Sequence, residues 1–201
     1  MQASTPRTEG ESLPSEDQAG DVQQGPGLVV QAHNSQGATK ANRGGRMNVY
    51  IGVDPGPEEH GVVWYDSTAR RVVRSENSIT TNLVPLLFDF DGIVAIEWIE
   101  SYGMAVGKSV FETCLEIGRL VDAPKRLRLI PRRLVKLHLC GTMRAKDPNI
   151  RQALIDKLGA VGTKKSPGPL HGVSGHLWSA LAIAVYAAEC VETEPEYKPR
   201  R

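Results

Sequence analysis

At 201 residues, with a formal net charge of +1 and 23% charged side chains, the chain has the size of one ordinary domain, on a usual scale of roughly 100–200 residues. No run approaches the roughly 20 apolar residues of a membrane span, and the amino-terminal stretch lacks the basic start and apolar run of a signal peptide. Three scattered cysteines (Cys114, Cys140 and Cys190) exclude a disulfide framework or a Cys₄ zinc cluster and fit a reduced, cytoplasmic setting.

In chain order, residues 1–46 come first, rich in Gln, Gly, Ser, Pro and Glu with few clustered apolar side chains. Such a segment cannot bury enough surface to offset its ordering entropy, so a disordered arm is expected there. The folded domain is expected over 47–190, with a polar tail at 191–201. Asn48–Val53 has the β-branched and aromatic content of a strand, Gly61–Tyr65 of its hairpin partner, and Arg71–Arg74 of a third short strand. Val84–Phe88 reads as a brief helix. Ile93–Trp98, "IVAIEW", is a nearly continuous apolar run, the pattern of a strand covered on both faces.

Lys108–Val121 has apolar side chains at 110, 111, 114, 115, 117 and 121, which is helical spacing, and Ser109 with Glu112 fits a capping box. Leu127–Ile130 is a further strand. Pro131 is expected to open the next helix as its first residue, and Gly141 to end it. Pro148–Leu158 is another helix stopped by Gly159. A Gly/Pro-rich loop leads to the apolar helix Leu177–Glu189. Hairpin-spaced strands followed by alternating strands and helices predict an α/β domain with a mixed sheet.

Two acids stand out. Asp54 follows the first strand in "IGVDPG", and Glu97 lies near the end of the run "VAIEW". Asp54 is either a turn starter that bonds its own backbone or a ligand in a cleft. A lone charge in an apolar run is costly unless paired or bound to a cation. If their strands are parallel neighbours, both carboxylates emerge at the carboxyl edge, where open α/β sheets bind ligands. Two close carboxylates raise a pKa or recruit a cation, and oxygen ligands favour Mg²⁺ or Mn²⁺.

Charge is segregated: 119–165 holds thirteen Lys or Arg against three acids, whereas 89–116 holds six acids against Lys108. A basic block beside an acidic one fits a polyanion held near a cation site, or else a solvated helix face.

The pieces "IGVDPG", "GVVWYD", "VAIEWIESYG", "LVKLHLCGTMRAKDPNIRQAL" and "HLWSALAIA" occur in an order that resembles the RuvC Holliday-junction resolvases of the RNase H-like nucleases, and more closely their phage and prophage branch. The resemblance implies an RNase H-like five-stranded mixed sheet, three antiparallel strands then two parallel, flanked by helices. It further implies a homodimer that hydrolyses phosphodiester bonds in branched DNA, leaving a 5′ phosphate, with two divalent metals held by four acidic positions. Asp54 and Glu97 match the first two of these. His176 and Ser179 stand where the family has its last two acids, a departure that deprives a second metal of its usual ligands. The implied catalytic and metal set is therefore Asp54, Glu97 and His176 with Mg²⁺ or Mn²⁺, and Glu100 and Ser179 are possible accessories.

Lys136 and Lys146 resemble the family's phosphate-contacting lysines, and Arg132, Arg133 and Arg144 add charge nearby. Lys164 and Lys165 form a candidate clamp, and Tyr102 a candidate contact to a splayed base. His60, His138 and His171 read as surface histidines, Glu112 and Glu116 as helix-face acids, and the three tryptophans as core. The competing expectation is a domain of the same fold with a damaged metal site, binding branched DNA without cutting it.

Overall fold

The computed structural model describes residues 48–101, 103 and 105–190. The amino-terminal arm, Tyr102 and the tail at 191–201 lie outside them.

Strands β1 (Val49–Asp54), β2 (His60–Asp66) and β3 (Arg71–Ser78) form an antiparallel meander. Helix α1 (Thr80–Phe88) leads to β4 (Ile93–Trp98), and α2 (Lys108–Leu120) leads to β5 (Leu127–Pro131). Helices α3 (Arg132–Cys140), α4 (Asp147–Leu158) and α5 (Leu177–Cys190) follow. The sheet has five strands in the order β3-β2-β1-β4-β5. β1 pairs antiparallel with β2 and parallel with β4, and β4 pairs parallel with β5. This is the mixed sheet expected from the sequence.

Alternation along the strands supplies two cores. Ile51, Val53, Val62, Val94 and Ile96 face α1 and α2, packing with Leu83, Leu87, Ile117 and Leu120. Val63, Ala95 and Ile130 face the other way, against α3, α4 and α5. Helix α5 is apolar nearly all round, and ten of its fourteen residues are buried. A helix of that kind belongs inside the domain. It lies on β1 where Gly52 has no side chain to hold it off, so its backbone at Ala180 and Ala184 meets the strand directly.

Several local expectations differ. Ser109 is the second residue of α2 behind an N-cap at Gly107, so it cannot cap, and Lys108 pairs with Glu112 instead (3.2 Å). The buried stripe of α2 is Thr113, Glu116, Ile117 and Leu120, while Phe111, Cys114 and Leu115 face outward. The packing side of α2 is thus half polar, which the apolar spacing could not reveal. Pro131 ends β5 and caps α3 with an extended ψ of 134°, so the helix starts one residue later. Gly141 ends α3 in the left-handed region, φ 68°. Trp98 lies past the covered part of β4 and is exposed, whereas Trp178 is buried beneath the Arg151 guanidinium.

Candidate active site

The carboxyl ends of β1 and β4 bring two acids together. Their parallel register runs from Tyr50↔Ile93 to Val53↔Ile96, and the next residue on each strand is Asp54 and Glu97. Both share the face of Gly52 and Ala95, the side covered by α5. Their side chains are only 14% exposed. Burial pushes the Asp54 carboxyl above its ordinary range, against the pull of the Arg132 guanidinium and a hydrogen bond from His176. Glu97 is pushed up to about 7, first by burial and then by the Asp54 charge, with Arg132 opposing. Two carboxyls that resist ionisation side by side mark a site waiting for positive charge.

Helix α5 delivers the other groups. The His176 carbonyl accepts the first helical hydrogen bonds, from Ser179 and Ala180, so the imidazole sits at the helix entrance. Its Nδ1 lies 3.2 Å from Asp54 Oδ2. Gly61 on β2 makes this approach possible, since a Cβ there would press on the His176 backbone at 3.0 Å. One turn on, Ser179 Oγ accepts from Arg132 Nη1 at 3.3 Å. His176 and Ser179 line one open cleft of about 560 Å³, together with Asp147, Pro148, Arg151 and Trp178.

Arg132 follows directly after β5, whose register sets Ile130 beside Glu97. Its Nη1 donates to Glu97 Oε2 at 2.9 Å and its Nη2 to Asp147 Oδ1 at 2.6 Å. Burial lowers the guanidinium pKa, and the three surrounding carboxylates more than reverse this. Expected among the DNA-facing arginines, it is drawn inward instead. Arg133 binds Glu100 through Nε (2.7 Å) and Nη2 (3.2 Å), which turns Glu100 toward α3. Arg132, Arg133, Lys136 and Met143 line a second, basic groove. Arg144 and Lys146 are exposed on the turn before α4, where the Lys146 N–H donates to Asn149 Oδ1 at 2.9 Å. Lys164 and Lys165 are exposed at the tip of a tight turn closed by paired Thr163–Ser166 backbone hydrogen bonds.

Asp147 went unnoticed in the sequence because it reads as an ordinary first-turn acid of α4. A second group also escaped notice. His60 is fully buried, not a surface histidine: Nδ1 accepts from the Gly56 N–H (3.3 Å) and Nε2 lies 2.8 Å from Thr80 Oγ1. Thr80 donates to Glu116, which also receives Arg119. Glu116 is accordingly buried rather than on an open helix face. This chain ties the turn after Asp54 to α1 and α2.

Whether a divalent ion suits these residues is decided by the donors. Among the described residues, no three His, Cys, Asp or Glu side chains converge as a ready-made metal cluster. The buried pair Asp54 and Glu97 offers the hard oxygens that Mg²⁺ or Mn²⁺ prefers, with His176 at the rim. One oxygen of Glu97 is already taken by Arg132, and position 179 contributes a neutral hydroxyl. The set fits one ion and does not fit a pair.

Among solved structures, the chain is similar to T. thermophilus RuvC in complex with Holliday junction substrate, with a TM-score of 0.56 and 20% identity over 74% of this chain and 99% of that one. It is likewise similar to another Thermus thermophilus RuvC structure, with a TM-score of 0.53, 20% identity and the same coverage. The chain therefore shares the RuvC fold. No family model and no curated protein matches it.

Proposed function

We propose that the chain is a divalent-metal-dependent, structure-selective endodeoxyribonuclease of the phage and prophage resolvase type. It would hydrolyse phosphodiester bonds in four-way or other branched DNA in the cytoplasm, working as a homodimer. The observation that carries this reading is the buried pair Asp54 and Glu97 at adjacent parallel strand ends, with both carboxyls pushed upward, beside a groove lined by Arg132, Arg133 and Lys136. The shared fold supports it, and the RuvC structure bound to Holliday junction substrate points to the substrate class.

In this reading Asp54, Glu97 and His176 hold Mg²⁺ or Mn²⁺. When bound, such an ion supplies a more acidic water and neutralises charge on the phosphate. The protein's own groups do the rest. His176 fixes the Asp54 carboxylate through Nδ1, and its other nitrogen, Nε2, on a largely exposed ring, is the one that would join the ion. Glu97, pushed up to about 7 without an ion, gives up its proton as a cation enters. Lys136, Arg133, Arg144 and Lys146 hold the DNA backbone, which makes affinity fall steeply with salt. Lys164 and Lys165, on their exposed turn, extend that contact, and Tyr102 remains the candidate for a splayed base. Symmetric cutting of a junction needs two sites about a two-fold axis, and the outward Phe111 and Leu115 of α2 offer a face for a second copy.

The test is cleavage of labelled four-way junction and linear duplex in Mg²⁺ or Mn²⁺. The expected result is nicking of the junction, abolished by Asp54→Asn and by Glu97→Gln. A second reading is favoured by the Arg132–Glu97–Ser179 contacts: the same fold binding branched DNA without cutting. Tight junction binding with no nicking in either metal would establish that alternative.

A further inference from the structure

The guanidinium of Arg132 is the feature that the reading above leaves unexplained. Its surroundings can be balanced as a set of charges. Three carboxylates act on it electrostatically: Glu97, Asp147 and Asp54. Two of them take its hydrogen bonds directly, through separate nitrogens, and Ser179 Oγ accepts a third. The Arg132 charge acts on both Asp54 and Glu97, and His176 acts on Asp54. With all three carboxyls ionised, as a bound cation would make them, three negative charges less one positive leave two. That remainder is the charge of a single divalent ion.

Position also matters. Arg132 follows Pro131, which closes β5 and caps α3, so its backbone is fixed by the strand pairing Trp98↔Pro131 and by the helix start. It reaches the acids from the β5 side. His176 reaches Asp54 from the opposite side, off the start of α5. By hydrogen bonding, Asp54 is served by an imidazole and Glu97 by a guanidinium, although the Arg132 charge reaches both acids. Among the described contacts, one oxygen of Glu97 and one of Asp54 are left for an ion to enter between them. A second ion beside Glu97, Ser179 and Asp147 would have to occupy the ground that the guanidinium fills.

We propose that Arg132 is a tethered cation of this site, standing where a second ion would otherwise sit, so that each chain takes one divalent ion and not two. Resting on the metal-dependent reading above, the inference deepens it: the site is built as one ion plus one arginine. The guanidinium stays charged at any working pH and offsets one of the two charges of Glu97 and Asp147, and its planar fork can turn donors toward a phosphate that enters the cleft.

The experiment counts ions without DNA or turnover. Mn²⁺ binding to the full chain is titrated by calorimetry, and the bound ion is read by electron paramagnetic resonance. Wild type is expected to take one Mn²⁺ per chain, with the resolved six-line spectrum of an isolated ion. Arg132→Lys keeps the charge and should keep the count at one. Arg132→Gln combined with Ser179→Asp changes the local balance by two units of charge and should admit a second ion, with a spectrum broadened by the neighbouring spin. Far-ultraviolet circular dichroism and a melting curve confirm that each variant is folded. Two ions in wild type overturn the inference and leave the metal-dependent reading standing. A folded double variant that still binds only one also overturns it. No Mn²⁺ bound to wild type, with Asp54→Asn giving the same blank titration, removes the metal-dependent reading and this inference with it.

Discussion

Gly52 and Ala180 are so close that a Cβ on the glycine would lie 2.0 Å from the Ala180 carbonyl oxygen. The neighbouring obstacles are the Ala184 nitrogen and Cβ, at 2.8 and 2.9 Å. Backbone stands on both sides of the contact, so neither partner can rotate away. Gly52→Ala is expected to cost about 2–4 kcal/mol of stability and to push His176 and Ser179 away from Asp54. Denaturant unfolding measures the first effect. A loss below about 0.5 kcal/mol, the level of an ordinary surface change, would mean that α5 rides higher on the strand than described.

Glu97 keeps its proton to about pH 7 in the fold, whereas its ordinary pKa is 4.5. Between those values the folded chain holds a proton that the unfolded chain has released, so stability falls as pH rises through the window. Glu97→Gln should abolish this slope and raise stability at pH 8 by about 1–3 kcal/mol in the absence of divalent ions. His60 runs the opposite way: burial lowers its pKa from 6.5, so its share of stability is present above that value and is lost as pH falls below it. Wild type should therefore show a shallow pH profile, and Glu97→Gln a profile that rises toward pH 6.5 and levels off above it. Melting temperatures from pH 4.5 to 8 decide the matter, and a Glu97→Gln variant less stable than wild type at pH 8 would contradict it.

Lys136 lines the basic groove with Arg132 and Arg133, and among the described residues no carboxylate ties it down in the way that Glu97 and Glu100 tie those arginines. Lys136→Ala should weaken junction binding about equally for all sequences and lower the slope of log affinity against log salt by about 1. Fluorescence anisotropy at several salt concentrations provides that slope. An unchanged slope would remove Lys136 from the phosphate contacts.

Phe111 and Leu115 are 64% and 57% exposed on the outer side of α2, four residues apart and so on one helix face. Phe111→Glu should shift the chain toward monomer in sedimentation velocity while leaving its melting curve in place. A single species of unchanged mass would place the contact between copies elsewhere.

The sheet was legible because its signals were local: an apolar run at Ile93–Trp98, a hairpin flanking Asp54, and acids lodged at strand ends where burial makes them costly. The parallel pairing of β1 with β4 had no local signal of its own and was implied by the resemblance to the resolvases. Other features could not be seen because they depend on partners far away in the sequence. His60 looked ordinary until Thr80 and Glu116 were seen to enclose it. The apolar spacing of α2 pointed outward because its inner face is completed by Thr113 and Glu116. Arg132 was one basic residue among many. Its place just past β5, next to the strand that carries Glu97, was the available clue to its inward turn.

Asp54 and its imidazole partner are 122 positions apart, and the helix introduced by that imidazole is the last element among the described residues. On a ribosome moving at about 5–20 residues per second, the first acid therefore waits on the order of ten seconds for its companion. During that interval the sheet has one flank short of its covering helix, with Val63 of β2 and Ala95 of β4 open to water and to any chaperone that grips oily surfaces. Until α5 has been made, the imidazole cannot reach Asp54, so the site proposed here is incomplete on any shorter nascent chain.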